Sequence, residues 1–187
     1  MIDGVVLAGG RSRRMGSDKA LVEIDGVPMF VRAARTLVDG GCSEIAVISH
    51  LSLPADASIS ARWSDAHGGQ GPLDGLITAL RKVEGTSVCV LAVDLPRVSP
   101  GSILGMREAV MENEQLDVAY LSSSSGVQVL AACWRTRVLD SAESFFESGG
   151  RSIHDFARSL TTKSLIVEDH ELLNVNSPSQ IPSPAGE

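Results

Sequence analysis

With 187 residues and 43% apolar side chains, the chain has the length of one ordinary globular domain and enough apolar surface for a full core. Its formal net charge of -7 opposes the counterion release that drives binding to a nucleic-acid backbone, so small ligands are expected as partners and nucleic acid is not. Cys42, Cys89 and Cys133 are odd in number and form no CxxC pair, which argues against a disulfide framework or a zinc knuckle and reads as reduced core thiols.

Taken in chain order, a first strand is expected from Ile2 to Ala8. Its apolar run is too short for a signal peptide's hydrophobic region and follows Asp3. No later segment reaches membrane-spanning length, so a cytoplasmic chain with no membrane partner is expected. A helix over Pro28 to Val38 follows, then a strand from Glu44 to His50, a helix over Pro72 to Val83 and a strand from Ser87 to Val93. Beyond these come a helix over Ser99 to Asn113, strands at Leu116 to Leu121 and Val127 to Cys133, helices over Arg135 to Ser148 and Ser152 to Ser159, and a strand at Lys163 to Val167. Ser122 to Ser125, followed by Gly126, reads as a turn between two strands. Branched apolar runs alternating with helical periodicity predict a mostly parallel α/β sheet sandwiched between helices, a three-layer arrangement. Residues 1–181 read as a single domain, and 182–187, with Pro182, Pro184 and Gly186, as a flexible tail.

The richest segment is LAGGRSRRMGSDKALVEIDG, Leu7 to Gly26, where a buried strand runs at once into glycines and basic side chains. Gly9, Gly10 and Gly16 allow successive backbone N–H groups to point into one concavity, and such nests attract anions. Arg11, Arg13, Arg14 and Lys19 add positive charge. The loop matches neither the GxGxxG of dinucleotide folds nor the glycine-lysine-serine/threonine ending of a P-loop. Asp94 follows the apolar run TSVCVLAV, which places its carboxylate at the carboxyl edge of a central strand, where open α/β sheets bind ligands. The four histidines, His50, His67, His154 and His170, show no metal-ligand spacing. Trp63 and Trp134 read as core.

The stretch from Leu7 resembles the LAGGxSxRMGxDKxL signature of the molybdenum cofactor guanylyltransferases, within the broader group of nucleotidyltransferases sharing such a loop. GPLDG at Gly71 to Gly75 is similar to the family's GPLxG, VDLP at Val93 to Pro96 to its Asp-x-Pro, and NVNSP at Asn174 to Pro178 to its NxNTP. The resemblance implies a Rossmann-like sheet of the glycosyltransferase-A and nucleotidyltransferase type. It implies that Leu7, Ala8, Gly9 and Gly10 contact the base and ribose of a nucleotide. Arg14 and Lys19 would face its phosphates, with Lys19 nearest the charge developing at the α-phosphate. It also assigns Asp94 and Asn176 to a Mg2+ ion, Asp65 to the N1 and N2 donors of guanine, and Gly71, Pro72 and Leu73 to the nucleotide pocket. Arg151 stands where the family carries a basic residue that reaches the acceptor phosphate. GVQVLAACW keeps Gln128 but has Val129 where the family's QPL element has proline, so acceptor recognition stays open.

The implied reaction transfers GMP from GTP to the terminal phosphate of molybdopterin carrying its metal, the molybdenum cofactor, and releases pyrophosphate; the lability of such a product makes direct hand-over to a chaperone or molybdoenzyme an expectation. LAGG favours guanine, because cytidylyl-transferring relatives tend to carry Ala-Ala-Gly there. A cytidylyltransferase, a transferase acting on a sugar phosphate or phospholactate-type acid, and a non-catalytic nucleotide-binding regulator stay open as alternatives. Lys19 together with Asp94 speaks against the last.

Overall fold

Alternation along three central strands builds the molecule, described for residues 3–9 and 19–175 in a computed structural model. Strand β1 (Gly4–Leu7) lies between β4 (Ile45–Ile48) and β6 (Ser87–Ala92), parallel to both. Val6, Ile45, Val47, Cys89 and Leu91 point to one face, and Val5, Leu7, Ala46, Ile48, Val88 and Val90 to the other. The period-two geometry of a strand thus gives the sheet two apolar faces, and each needs a cover of helices.

Helices α1 (Met29–Asp39) and α3 (Pro100–Glu112) cover the first face. Helices α2 (Pro72–Lys82), α4 (Leu139–Glu147) and α5 (Ile153–Arg158) cover the second. Their ends follow from local chemistry. Ser99 caps α3 by accepting the Ser102 N–H, and Pro100 fills its first position, where an N–H would be without an intrahelical partner. Ser152 caps α5 by accepting the Asp155 N–H. Gly71, before Pro72 of α2, holds φ 108° and ψ -177°, a region essentially closed to residues with a Cβ.

The full sheet adds β5 (Ala61–Trp63), β7 (Val118–Ser123), β8 (Gly126–Arg135) and β9 (Thr162–Ile166), in the order β5-β4-β1-β6-β8-β7-β9. Only β8 runs against its neighbours. The expected three-layer, mostly parallel α/β architecture is therefore the observed one. A short ribbon, β2 (Glu23–Ile24) with β3 (Val27–Pro28), packs beside it.

Several expectations need correction. The short edge strand β5 and the β2–β3 ribbon were not anticipated. Ser122 and Ser123 extend β7, leaving only Ser124 and Ser125 to turn the chain into β8. Arg135 ends β8, and a 3-10 turn at Thr136–Val138 delays α4 to Leu139. Ile2 and the 182–187 tail lie outside the described residues. The three cysteines are buried and unpaired by disulfides, with Cys89 directly across from Cys133 in the β6–β8 register.

Trp134 is the largest fully buried side chain on the second face, stacked against Phe156 with ring centroids 6.2 Å apart. Its Nε1 has no hydrogen-bond partner among the described residues. Trp134→Ala is expected to destabilise the fold by about 3–5 kcal/mol, read from the urea midpoint. Trp134→Phe should cost much less, because it removes an unbonded buried donor along with part of the ring. Trp63 lies half-buried on β5 beneath Lys82.

Candidate active site

Because β1, β4, β5 and β6 are parallel, their carboxyl ends share one edge of the sheet. The residues just past those ends are Gly9, His50, Asp65 and Asp94. Strand order reverses at β1: the chain moves outward through β4 and β5 and then returns to place β6 on the other flank. A crevice at such a switch point is where doubly wound sheets bind ligands.

Two of the anticipated residues meet there. Lys19, from the segment after β1, stands with Nζ 3.3 Å from Asp94 Oδ2 in a partly buried ion pair. Two backbone bonds fix the Asp94 turn. The Val93 N–H donates to the Leu7 carbonyl at 3.2 Å, and the buried Val175 N–H donates to the Asp94 carbonyl at 2.9 Å. The second bond brings Val175, from the far end of the chain, against the turn that carries Asp94. Gly10, Arg14 and Asn176 lie outside the described residues.

Asp65 sits in a cradle of glycines. A Cβ on Gly9 would stand 3.5 Å from Asp65 Oδ2, one on Gly69 3.6 Å from the same atom, and one on Gly75 3.5 Å from Oδ1. The carboxylate thus lies between the end of β1 and the first turn of α2. Burial, and after it the charge of Asp74, raise the Asp65 carboxyl above its ordinary value, opposed by the weaker influence of His50. Such a perturbed acid at a crevice is a mark of functional sites.

The structure also limits what other anticipated residues can offer. The Ala8 N–H is taken by the Ile48 carbonyl at 2.9 Å, so Ala8 has no amide proton to give a ligand. Leu73 is wholly buried in the core beneath the crevice, with no surface of its own to offer a nucleotide. Gly75 approaches Leu7, 3.0 Å from where a Cβ would stand, rather than open space, whereas Gly71 needs glycine for its dihedral angles. Arg151 lies over the Phe146 ring at 3.9 Å and donates to the carbonyls of Phe146 and Gly150 and to Gln70 Oε1. That packing, rather than an open cationic surface, is where its guanidinium is engaged.

Sequence reading missed Asp74. Its carboxylate is fully buried and accepts the N–H groups of His67, Gly69 and Gln70, each at 3.0 Å, and faces His67 Nδ1 at 2.9 Å. The signal was present: an acid at the third helical position after an N1 proline is where a side chain turns back onto preceding amides.

A magnesium ion fits this donor set in a limited sense. Among the described residues no group of three or more His, Cys, Asp or Glu side chains could hold a metal. Magnesium nevertheless commonly uses one or two carboxylates and completes its octahedron with substrate phosphate and water, and Asp94 offers one partly exposed hard oxygen donor.

A glycine-flanked carboxylate on one side of the switch point and a lysine–aspartate pair on the other place polar groups around the crevice of a doubly wound α/β sheet. The chain belongs to the MobA-like NTP transferase domain family, whose model matches residues 4–163. It is 30% identical over 190 aligned positions to a molybdenum cofactor guanylyltransferase of Shewanella amazonensis, covering 96% of this chain and 93% of that one. Molybdopterin-guanine dinucleotide biosynthesis protein A of Archaeoglobus fulgidus superposes with a TM-score of 0.75 at 21% identity, covering 96% of this chain and 95% of that one. The 2-C-methyl-D-erythritol 4-phosphate cytidylyltransferase of Thermus thermophilus does so at 0.69 and 13% identity, covering 97% and 96%. These two likenesses establish the fold. Among the described residues no helix is long and apolar enough to cross a membrane.

Proposed function

We propose that the chain transfers the GMP unit of GTP to the terminal phosphate of molybdopterin. An acceptor phosphate oxygen bonds to the α-phosphorus, the bond from that phosphorus to the bridging oxygen breaks, and pyrophosphate leaves with the electron pair. The observation that carries the reading is the 3.3 Å approach of Lys19 to Asp94 at the switch point, with Asp65 in the same row of strand ends. The guanylyltransferase names of relatives at about this identity support the choice of base and acceptor.

In this scheme Lys19 places a mobile point cation against the α-phosphate, where charge grows as the acceptor attacks. Asp94 and Asn176 would hold Mg2+, which when bound neutralises phosphate charge. Arg14 would grip phosphate oxygens through its planar fork. Asp65 accepts hydrogen bonds from guanine N1 and N2, and the surrounding glycines let the base approach it. Backbone of Leu7, Gly9, Gly10, Gly71 and Pro72 would line the pocket, with Leu73 packed beneath it. Transfer of the product to a chaperone or molybdoenzyme belongs to the same proposal, and a pull-down with the apo-enzyme that recovers neither would count against it.

The test is pyrophosphate release with molybdopterin, Mg2+ and each of GTP, CTP, ATP and UTP. GTP should be preferred; a preference for CTP would overturn the base assignment, and no release with any triphosphate would favour the non-catalytic reading. Asp65→Asn should raise the KM for GTP by about 10–100-fold, since a charge-assisted hydrogen-bond pair is lost. Guanine needs Asp65 ionised, and its carboxyl titrates above the ordinary value of 3.8. GTP affinity should therefore fall as pH drops into that raised range, and the dependence should vanish in Asp65→Asn.

A further inference from the structure

Asp74 occupies the variable position of GPLxG, and the transfer scheme does not use it. An enclosed carboxylate without partners would be strongly unfavourable. Here Oδ1 accepts the His67 N–H and faces His67 Nδ1, while Oδ2 accepts the N–H groups of Gly69 and Gln70. Desolvation pushes the Asp74 carboxyl up, and the hydrogen bonds from Gln70, His67 and Gly69 together outweigh it and leave the group below its ordinary value.

All of these partners belong to the segment that begins at Asp65. The same segment is anchored a second time by Ala66, whose N–H donates to Thr78 Oγ1 at 2.8 Å, one turn further along α2. Its outer side is closed by His67, stacked on Phe146 with centroids 4.6 Å apart, and by the Arg151–Gln70 hydrogen bond. Gly69, held by Asp74 Oδ2, is one of the three glycines around the Asp65 carboxylate. A rigid helix thus fixes a loop, and the loop fixes one wall of the base cradle.

We propose that Asp74 is a positioning residue for base selection: by locking residues 65–70 onto α2 it sets where the Asp65 carboxylate stands and so how well guanine is told from other bases. The inference rests on the assignment of Asp65 to guanine. Asp74→Asn keeps the shape but turns one acceptor oxygen into an NH2 group that confronts N–H donors.

The experiment measures kcat and KM for GTP and ITP, which lacks the 2-amino donor, in wild type, Asp65→Asn, Asp74→Asn and the double variant, with urea midpoints alongside. Asp74→Asn should raise the GTP KM about tenfold, leave kcat within about threefold, and reduce the GTP-over-ITP preference. In the Asp65→Asn background it should add less than about twofold, because residues acting through one another are not additive. His67→Phe, which keeps the stack on Phe146 but removes the imidazole donor, should shift the preference in the same direction by about threefold and serves if Asp74→Asn does not fold. An unchanged GTP-over-ITP ratio in these variants, or a multiplicative effect in the double variant, would overturn the proposal while leaving Asp65 in its role. An unchanged ratio in Asp65→Asn would instead remove the guanine assignment, and the role of Asp74 with it.

Discussion

Asp94→Ala is expected to reduce pyrophosphate release from GTP by at least about 10²–10³-fold, the loss typical when one preorganised electrostatic group is removed from a transfer site. The backbone bonds that hold the turn, from the Val93 amide to Leu7 and from the Val175 amide to the Asp94 carbonyl, do not use the Asp94 side chain. The substitution therefore removes a carboxylate and little else. Asp94→Asn separates charge from shape, since its amide keeps one oxygen donor but no negative charge. If Asp94 holds magnesium, the alanine variant should need more Mg2+ for half-maximal rate than wild type, and the asparagine variant an intermediate amount. Equal rates in wild type and Asp94→Ala across a Mg2+ titration would sink the metal assignment.

How much of this could be read from the chain differs by element. The strands β1, β4 and β6 are buried on both faces, so they appear as continuous apolar runs, and GVVL, IAVI and SVCVLA announce themselves. Strand β5 does not, because three residues at a sheet edge need no apolar run and Arg62 at its centre points outward to donate to the Pro54 carbonyl. The opposite direction of β8 was equally hidden, since an apolar run does not record its orientation. In the site, Lys19 and Asp94 were legible because each follows a strand within a dense local motif. Their convergence was implied only by the resemblance, and the pairing of β1 with β6 is what brings it about. Asp65 could be placed only by its distance from GPLDG. Its glycine cradle joins Gly9, at the end of β1, to Gly69 and Gly75, which flank the start of α2. Asp74 was overlooked because it fills the variable position of the motif, although an acid in the first turn of α2 was a legible sign of a side chain that accepts preceding amides.

Lys19→Ala should lower kcat by about 10²–10³-fold while changing the KM for GTP by only a few-fold, because a cation aimed at the α-phosphate matters most when charge develops there. Lys19→Arg should recover little of the loss: a guanidinium delivers its charge through a planar fork, not as a compact point cation on a flexible stem. Lys19 has a side chain only 15% exposed, beside Asp94 at 27%, so the pair is partly screened and its removal should disturb folding far less than the rate. The double variant Lys19→Ala/Asp94→Ala is the sharper measurement. Two groups serving the same transition state from 3.3 Å apart should lose much less together than the product of their separate losses. If Lys19→Ala instead raised KM and left kcat intact, the lysine would be binding substrate and transition state equally, and the charge developing on the α-phosphate would have to be met by another group.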